Sequence, residues 1–310
     1  MEIRIGISAC LLGERVRHDG AHKREPFLTD VLGRFVRFVP VCPEMEIGLG
    51  VPREPIRIVR DGRRLRLAGV ESGVDRTAAM ASYAARRARE LGRLELSGYV
   101  LKSGSPSCGK EGVPVDGARG TTHNGRGFFA AELMSHLALL PVEQEDRLRN
   151  LKVRARFIER VFAHGRLQRF FTERWTLDAL RRFHGKERMT LLAHDARALR
   201  RLDRLLGSRR RVSLRELADR YRREFSDALS KPVTRTRHAD VLESMSRSLM
   251  PSLDTASRRR LRTQIRRFRR GSIPLEEARR LLRAQALAHA FAGVAEQTYL
   301  DPYPSELGIR

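Results

Sequence analysis

Three short apolar runs constrain the fold more than any other feature: IRIGISAC (Ile3 to Cys10), FVRFVPVC (Phe35 to Cys42) and GYVLKS (Gly98 to Ser103). Each has strand length and is rich in β-branched or aromatic residues. Between the second and third lies an Ala-rich segment of helical periodicity, Val74 to Leu91, with Gly92 placed to stop it. Strand, helix, strand in this order predicts an α/β domain with a mostly parallel, Rossmann-like sheet and helices on its faces. IRIVRDGRRLRL reads as a hairpin turning at Asp61-Gly62, and FFAAELMSHLALLPV as a helix running into a last strand.

The second half carries no strand signal and reads as an all-α domain. VSLRELADRYRREFSDAL opens with Ser213 and Glu216 at capping-box spacing and keeps Leu214, Leu217, Tyr221 and Phe225 on one face. HADVLESMSRSLM, SRRRLRTQIRRFRR and PLEEARRLLRAQALAHAF are further amphipathic helices. The polar stretch PVEQEDRLRN (Pro141 to Asn150) is the expected boundary, dividing the chain into residues 1–144 and 145–310. No apolar stretch approaches the ~18 to 20 residues of a membrane span. The N-terminus lacks the build of an export signal, so a cytoplasmic location is expected.

Charge separates the halves again. The chain has 62 basic residues, 56 of them Arg, and a net charge of +25. Residues 1–150 hold 24 basic and 19 acidic side chains, whereas residues 151–310 hold 38 and 18. A GC-rich coding bias explains Arg in place of Lys but not an excess of basic over acidic residues; a polyanionic partner explains the excess. The densest segment, SRRRLRTQIRRFRR, packs eight Arg between Arg258 and Arg270, too many for one helix face. Arg258, Arg259, Arg262, Arg266, Arg267 and Arg270 are therefore the candidate phosphate contacts, against a solvated Arg-rich helix as the plain alternative. Phe170, Phe171, Trp175 and Phe183 could stack on bases, although aromatics at helical spacing more commonly form core.

Cys10, Cys42 and Cys108 are the only cysteines, and all lie in the first half. An odd number argues against a disulfide framework. Two end predicted strands and the third sits in the loop SGSPSCG beyond another, so the crevice at the carboxyl ends of a parallel sheet would gather three thiols. Ordinary buried cysteine is the competing explanation for any one of them. Three thiolates could hold zinc with an open position or an iron-sulfur cluster; the C-x-x-C pair and the H-x-E partner of common zinc sites are absent. Around them stand Glu44, two positions after Cys42, as a candidate acid or base; Ser103, Ser105, Ser107, Lys102 and Lys110 around the third cysteine; and Arg17, Asp19, His22 and Lys23 after the first. His164, His184, His194 and His238 fall on predicted helices and read as surface or satisfied core residues rather than ligands.

CLLGERVRHDGAHK, CPEMEIGLGVPREP and LKSGSPSCG, in this order, resemble the thiouracil desulfidase (TudS-like) family over residues 1 to about 142. FIERVFAH and YLDPYPSEL, with helices between, resemble the YbgA-like helical domain. The fused arrangement resembles desulfidases that remove sulfur from 4-thiouridine in transfer RNA. This resemblance implies a [4Fe-4S] cluster bound by three cysteines, matching Cys10, Cys42 and Cys108, with the substrate sulfur on the fourth iron. It also implies a catalytic acid or base matching Glu44 and a serine matching Ser103. Lys102 is expected to orient the base, with Asp19 in reserve as an acid or base. His18 departs from the aromatic residue that relatives often carry before Asp-Gly. A salvage enzyme for free thiouracil or thionucleosides, and an iron-sulfur regulator that binds nucleic acid, are the competing readings. A general base at Glu44 distinguishes the enzymes from the regulator.

Overall fold

β1 (Arg4–Ser8) and β5 (Gly98–Leu101) are the paired centre of a four-stranded sheet, in a computed structural model that describes residues 2–208 and 213–308. β2 (Arg37–Val41) and β8 (Val142–Gln144) flank them in the order β2-β1-β5-β8, and every pairing is parallel. β1 beyond Arg4 and all of β5 are buried, as expected of central strands covered on both faces, which is why their sequences read as unbroken apolar runs. Pro40 sits in β2 and is exposed; an edge strand tolerates the missing N–H.

Gly6 of β1 is paired with Tyr99 of β5, and a Cβ there would lie 2.2 Å from the Tyr99 ring. That ring meets Phe129 of α3 (Phe128–His136) at 6.0 Å, and Phe129 in turn meets Tyr83 of α2 (Thr77–Gly92) at 6.1 Å. A short helix, α1 (Pro43–Glu46), follows β2 directly.

A second sheet, ordered β4-β3-β6-β7, contains the expected hairpin of β3 (Ile56–Asp61) and β4 (Arg64–Gly69), with Asp61 opposite Arg64 and Gly62 at a φ of +57°. β6 (Val113–Gly117) and β7 (Gly120–Gly125) complete it and have no counterpart in the sequence reading. β7 is exposed along almost its whole length, so no apolar alternation marks it.

The polar stretch Pro141 to Asn150 is not a linker. It contains β8, and Glu143, Gln144 and Glu145 are all buried. The compact units divide later, into Met1–Gln168 and Arg169–Arg310, within helix α4 (Leu151–Thr172). The cause is packing: a Cβ on Gly98 of β5 would meet Val161 Cγ2 at 2.6 Å and Phe157 Cζ at 3.6 Å, so the first part of α4 covers the sheet.

The second unit is helical throughout its described residues: α5 (Leu177–His194), α6 (Ala196–Gly207), α7 (Leu214–Ser230), α8 (Arg235–Leu249), α9 (Thr255–Arg270), α10 (Leu275–Ala288) and short turns after it. Ser213 caps α7 by accepting from Glu216 N at 3.2 Å, and Leu217, Tyr221 and Phe225 are buried. Leu214 departs from the expected face and is exposed, being the first residue after the cap. Phe170, Phe171, Trp175 and Phe183 pack on one another and on Tyr221 and Phe225; Phe171 is buried and the other three are half-buried. No described helix is long and apolar enough to cross a membrane.

Candidate active site

The three cysteines lie just beyond three neighbouring parallel strands. Cys10 is in the single turn of helix that follows β1, Cys42 is the residue after β2 and caps α1, and Cys108 lies in the loop after β5. All three line one cavity of about 310 Å³, together with Glu44, Lys102 and Ser103. None is in a disulfide. Among the described residues no group of three His, Cys, Asp or Glu side chains could hold a single metal ion.

The Cys108 loop is shaped by backbone needs. Ser105 Oγ accepts from Ser107 N at 3.2 Å and Cys108 N at 3.1 Å. The loop carbonyls of Gly109, Pro106 and Ser107 accept from Gly127 N (2.8 Å), Phe128 N (3.0 Å) and Ala130 N (3.2 Å), which caps the start of α3. Gly127 must be glycine for this approach, since a Cβ would fall 2.4 Å from Ser107 O.

Burial pushes the Cys10 thiol up to about 11, with the neighbouring Cys42 adding to the effect. Cys42 is raised by burial and by Glu44, and Cys108 well above its ordinary value by burial, Glu44 and the other two thiols. Cys42 thus acts on Cys10, and Cys10 and Cys42 both act on Cys108. Bound cations would reverse the direction by favouring thiolate.

Glu44 is anchored on both oxygens. Oε2 accepts from Arg53 Nε at 3.1 Å and Nη2 at 2.6 Å, and Oε1 accepts from Ser107 Oγ at 3.0 Å. Arg53 is almost wholly buried and also donates to Gly50 O (2.7 Å) and Val16 O (2.9 Å), tying two loops to α1. Lys102 and Ser103 are held by Glu145, the residue after β8; Ser103 N and Oγ donate to its carboxylate at 2.7 and 2.8 Å, and Lys102 pairs with it. Lys110 pairs with buried Glu143 at 2.9 Å instead of facing the cavity. Asp19 lies apart: it is exposed, accepts from Ala21 N at 3.0 Å in a turn, and does not line the cavity. His18, Arg17 and Lys23 from the same segment do line it.

Arg53 and Glu145 did not emerge from sequence reasoning. For Arg53 the only signal was its place in CPEMEIGLGVPREP; for Glu145 it was a carboxylate directly after an apolar strand, masked by the acidic run around it.

In the helical unit, Leu261, Ile265 and Phe268 bury one stripe of α9, and its arginines cover the remainder. Arg258, Arg259, Arg262 and Arg266 line a groove of about 720 Å³ with Arg247 and Glu243 of α8. Arg267 lies off the groove and donates to Gln264 Oε1 at 3.3 Å, and Arg270 ends the helix. His184, His194 and His238 are bound to Asp203 and Tyr221, to Lys231 O, and to Tyr299.

Residues 5–145 match the family described as 2-thiouracil desulfurase, and residues 188–304 match the family described as a protein of unknown function, DUF1722. The uncharacterized protein YbbK of Bacillus subtilis (strain 168) is 30% identical over 132 residues, 41% of this chain and 87% of that protein. The uncharacterized protein YbgA of Escherichia coli (strain K12) is 25% identical over 152 residues, 49% of this chain and 90% of that protein. Among solved structures, the [4Fe-4S]-dependent thiouracil desulfidase TudS is 33% identical, covering 50% of this chain and 98% of that one at a TM-score of 0.40. With thiols and carboxylate gathered at the strand ends of the matched region, the chain belongs to the 2-thiouracil desulfurase family, fused here to a DUF1722 domain.

Proposed function

We propose that this protein is a hydrolytic desulfidase that carries a [4Fe-4S] cluster on Cys10, Cys42 and Cys108 and removes sulfur from 4-thiouridine in transfer RNA. The observation that carries this reading is the convergence of three free thiols and Glu44 on one cavity at the ends of adjacent strands. Three soft sulfur donors, buried enough to resist ionisation until cations arrive, suit a cluster. A single zinc ion suits them less. The C-x-x-C pair of common zinc sites is absent from the sequence.

When bound, the cluster supplies an iron without a protein thiolate, an open Lewis acid for the thiocarbonyl sulfur. The protein's own groups do the rest. Among the described residues Glu44 Oε1 accepts one bond, from a neutral hydroxyl, and so has capacity to take a proton from water. The water oxygen bonds to the thiocarbonyl carbon and the C–S bond breaks, leaving a carbonyl base and hydrosulfide. Water supplies every atom gained, so no electron donor is needed. Arg53 keeps Glu44 in place, and Ser103, braced by Lys102 and Glu145, orients the ring.

A thiolated base in folded RNA has to be swung out to reach such a cavity. The helical domain, taken as residues 145–310 in sequence and as the unit after Gln168 in space, is assigned to holding that RNA through Arg258, Arg259, Arg262 and Arg266, with Arg267 and Arg270 extending the basic surface. Anaerobic purification followed by iron and sulfide counts and by assays on thiolated transfer RNA and free thiouracil tests both parts. Iron, sulfide and release of hydrosulfide from transfer RNA are expected. Zinc or no metal would overturn the cluster, and action on thiouracil alone would favour the salvage reading.

A further inference from the structure

A carboxylate that does not line the cavity governs what the cavity can recognise. Glu145 is 6% exposed and lies behind Ser103 and Lys102, which do line it. Counting donors fixes the polarity of this cluster. The Lys102 ammonium has three N–H groups and no acceptor. Ser103 O at 2.9 Å, Ser103 Oγ at 3.0 Å and Glu145 Oε1 occupy all three. A carboxylate in an ion pair only accepts, so the single Ser103 hydroxyl proton points to Glu145, at 2.8 Å. Ser103 Oγ therefore has a lone pair left for a ligand and no proton, and Lys102 has no free N–H.

We propose, on the basis of the desulfidase reading, that Glu145 is a positioning residue that makes Ser103 an obligate hydrogen-bond acceptor. The cavity then selects rings that carry an N–H beside the thiocarbonyl and disfavours their N-alkylated counterparts. Both 2-thio and 4-thio pyrimidines carry such an N–H at N3.

Uridine and N3-methyluridine test this in the full-length protein, because they keep the ring, lack sulfur and are not turned over. Their affinities are read by magnetic resonance titration in wild type, E145Q and S103A. In E145Q the new amide can donate to Ser103 and release its proton toward the cavity. The preference for uridine over N3-methyluridine should fall by about tenfold in both variants, the scale of one lost hydrogen bond. Added bulk of the methyl group is common to every protein and cancels in this comparison. A purely structural defect would weaken both ligands alike and leave the ratio where it was, which would overturn the proposal. If E145Q fails to fold, E145A and S103A decide by the same ratio. The same ratio of kcat/KM for 4-thiouridine and its N3-methyl derivative should move in parallel. Binding preference without any desulfuration would remove the reaction and keep the acceptor; desulfuration with an unchanged ratio would do the opposite.

Discussion

The cavity of the α/β unit and the α9 groove of the helical unit are both dense in charge, yet they answer it differently. At the cavity, Glu44 is met by Arg53 and Lys102 by Glu145, both within the chain. On α9, no carboxylate among the described residues pairs with Arg258, Arg259, Arg262 or Arg266, while Arg269 beside them is held by Asp240 and Glu243. Charges that must stay at a fixed place for chemistry are compensated internally. Charges meant for a polyanion are left for the partner to neutralise. On the proposed reading, the near balance of the first half reflects preorganisation and the excess of the second a polyanionic partner.

The largest effect should come from the thiols. Cys10→Ala, Cys42→Ala or Cys108→Ala should each abolish the cluster chromophore and all desulfuration, read by iron and sulfide content and hydrosulfide release. A variant with full iron and normal turnover would take that cysteine out of the site. Next, Glu44→Gln keeps the shape of the Arg53 contact but cannot accept a proton. Turnover should fall by about 10² or more at unchanged iron content. Near-normal turnover would make Glu44 structural and erase the first half of the comparison.

Two smaller effects probe the helical unit. Replacing Arg258, Arg259, Arg262 and Arg266 with Gln should lower the salt dependence of transfer RNA binding by roughly 3 in log-log slope, at 0.7 to 0.9 for each phosphate. Turnover on a free thionucleoside should not change; an unchanged slope would move the RNA surface elsewhere. Asp195 supplies the contrasting, internally compensated charge. Burial opposes its ionisation, but Lys231 and the N–H groups of Ala198 and Arg197 prevail and hold its carboxyl at about 2. Its folded value lies below its unfolded one, so its contribution is complete above about pH 4 and fades as pH falls toward 2. Asp195→Asn should cost roughly 1 to 2 kcal/mol in urea melts near neutral pH, and the gap from wild type should close on acidification. An undiminished gap at pH 2 would contradict this origin.

The parallel core was legible because buried central strands must be apolar on both faces, and β1 and β5 advertise this in their sequences. The thiols at strand ends were legible for the same reason, since strand ends fix where loops gather. What stayed hidden depends on distant pairing. Glu145 acts on a serine 42 residues away, and its neighbours made it look like the polar edge of a domain. β7 stayed hidden because an exposed strand needs no apolar pattern.

The cap on α3 has a consequence for amide exchange. The N–H groups of Gly127, Phe128 and Ala130 are protected only while the Cys108 loop is seated against them. Anything that holds Cys108 in place must lower the population of the open loop and slow deuterium uptake at these amides. The first turn of α3, rather than the loop itself, is then the part of the backbone that reports whether the thiol is occupied.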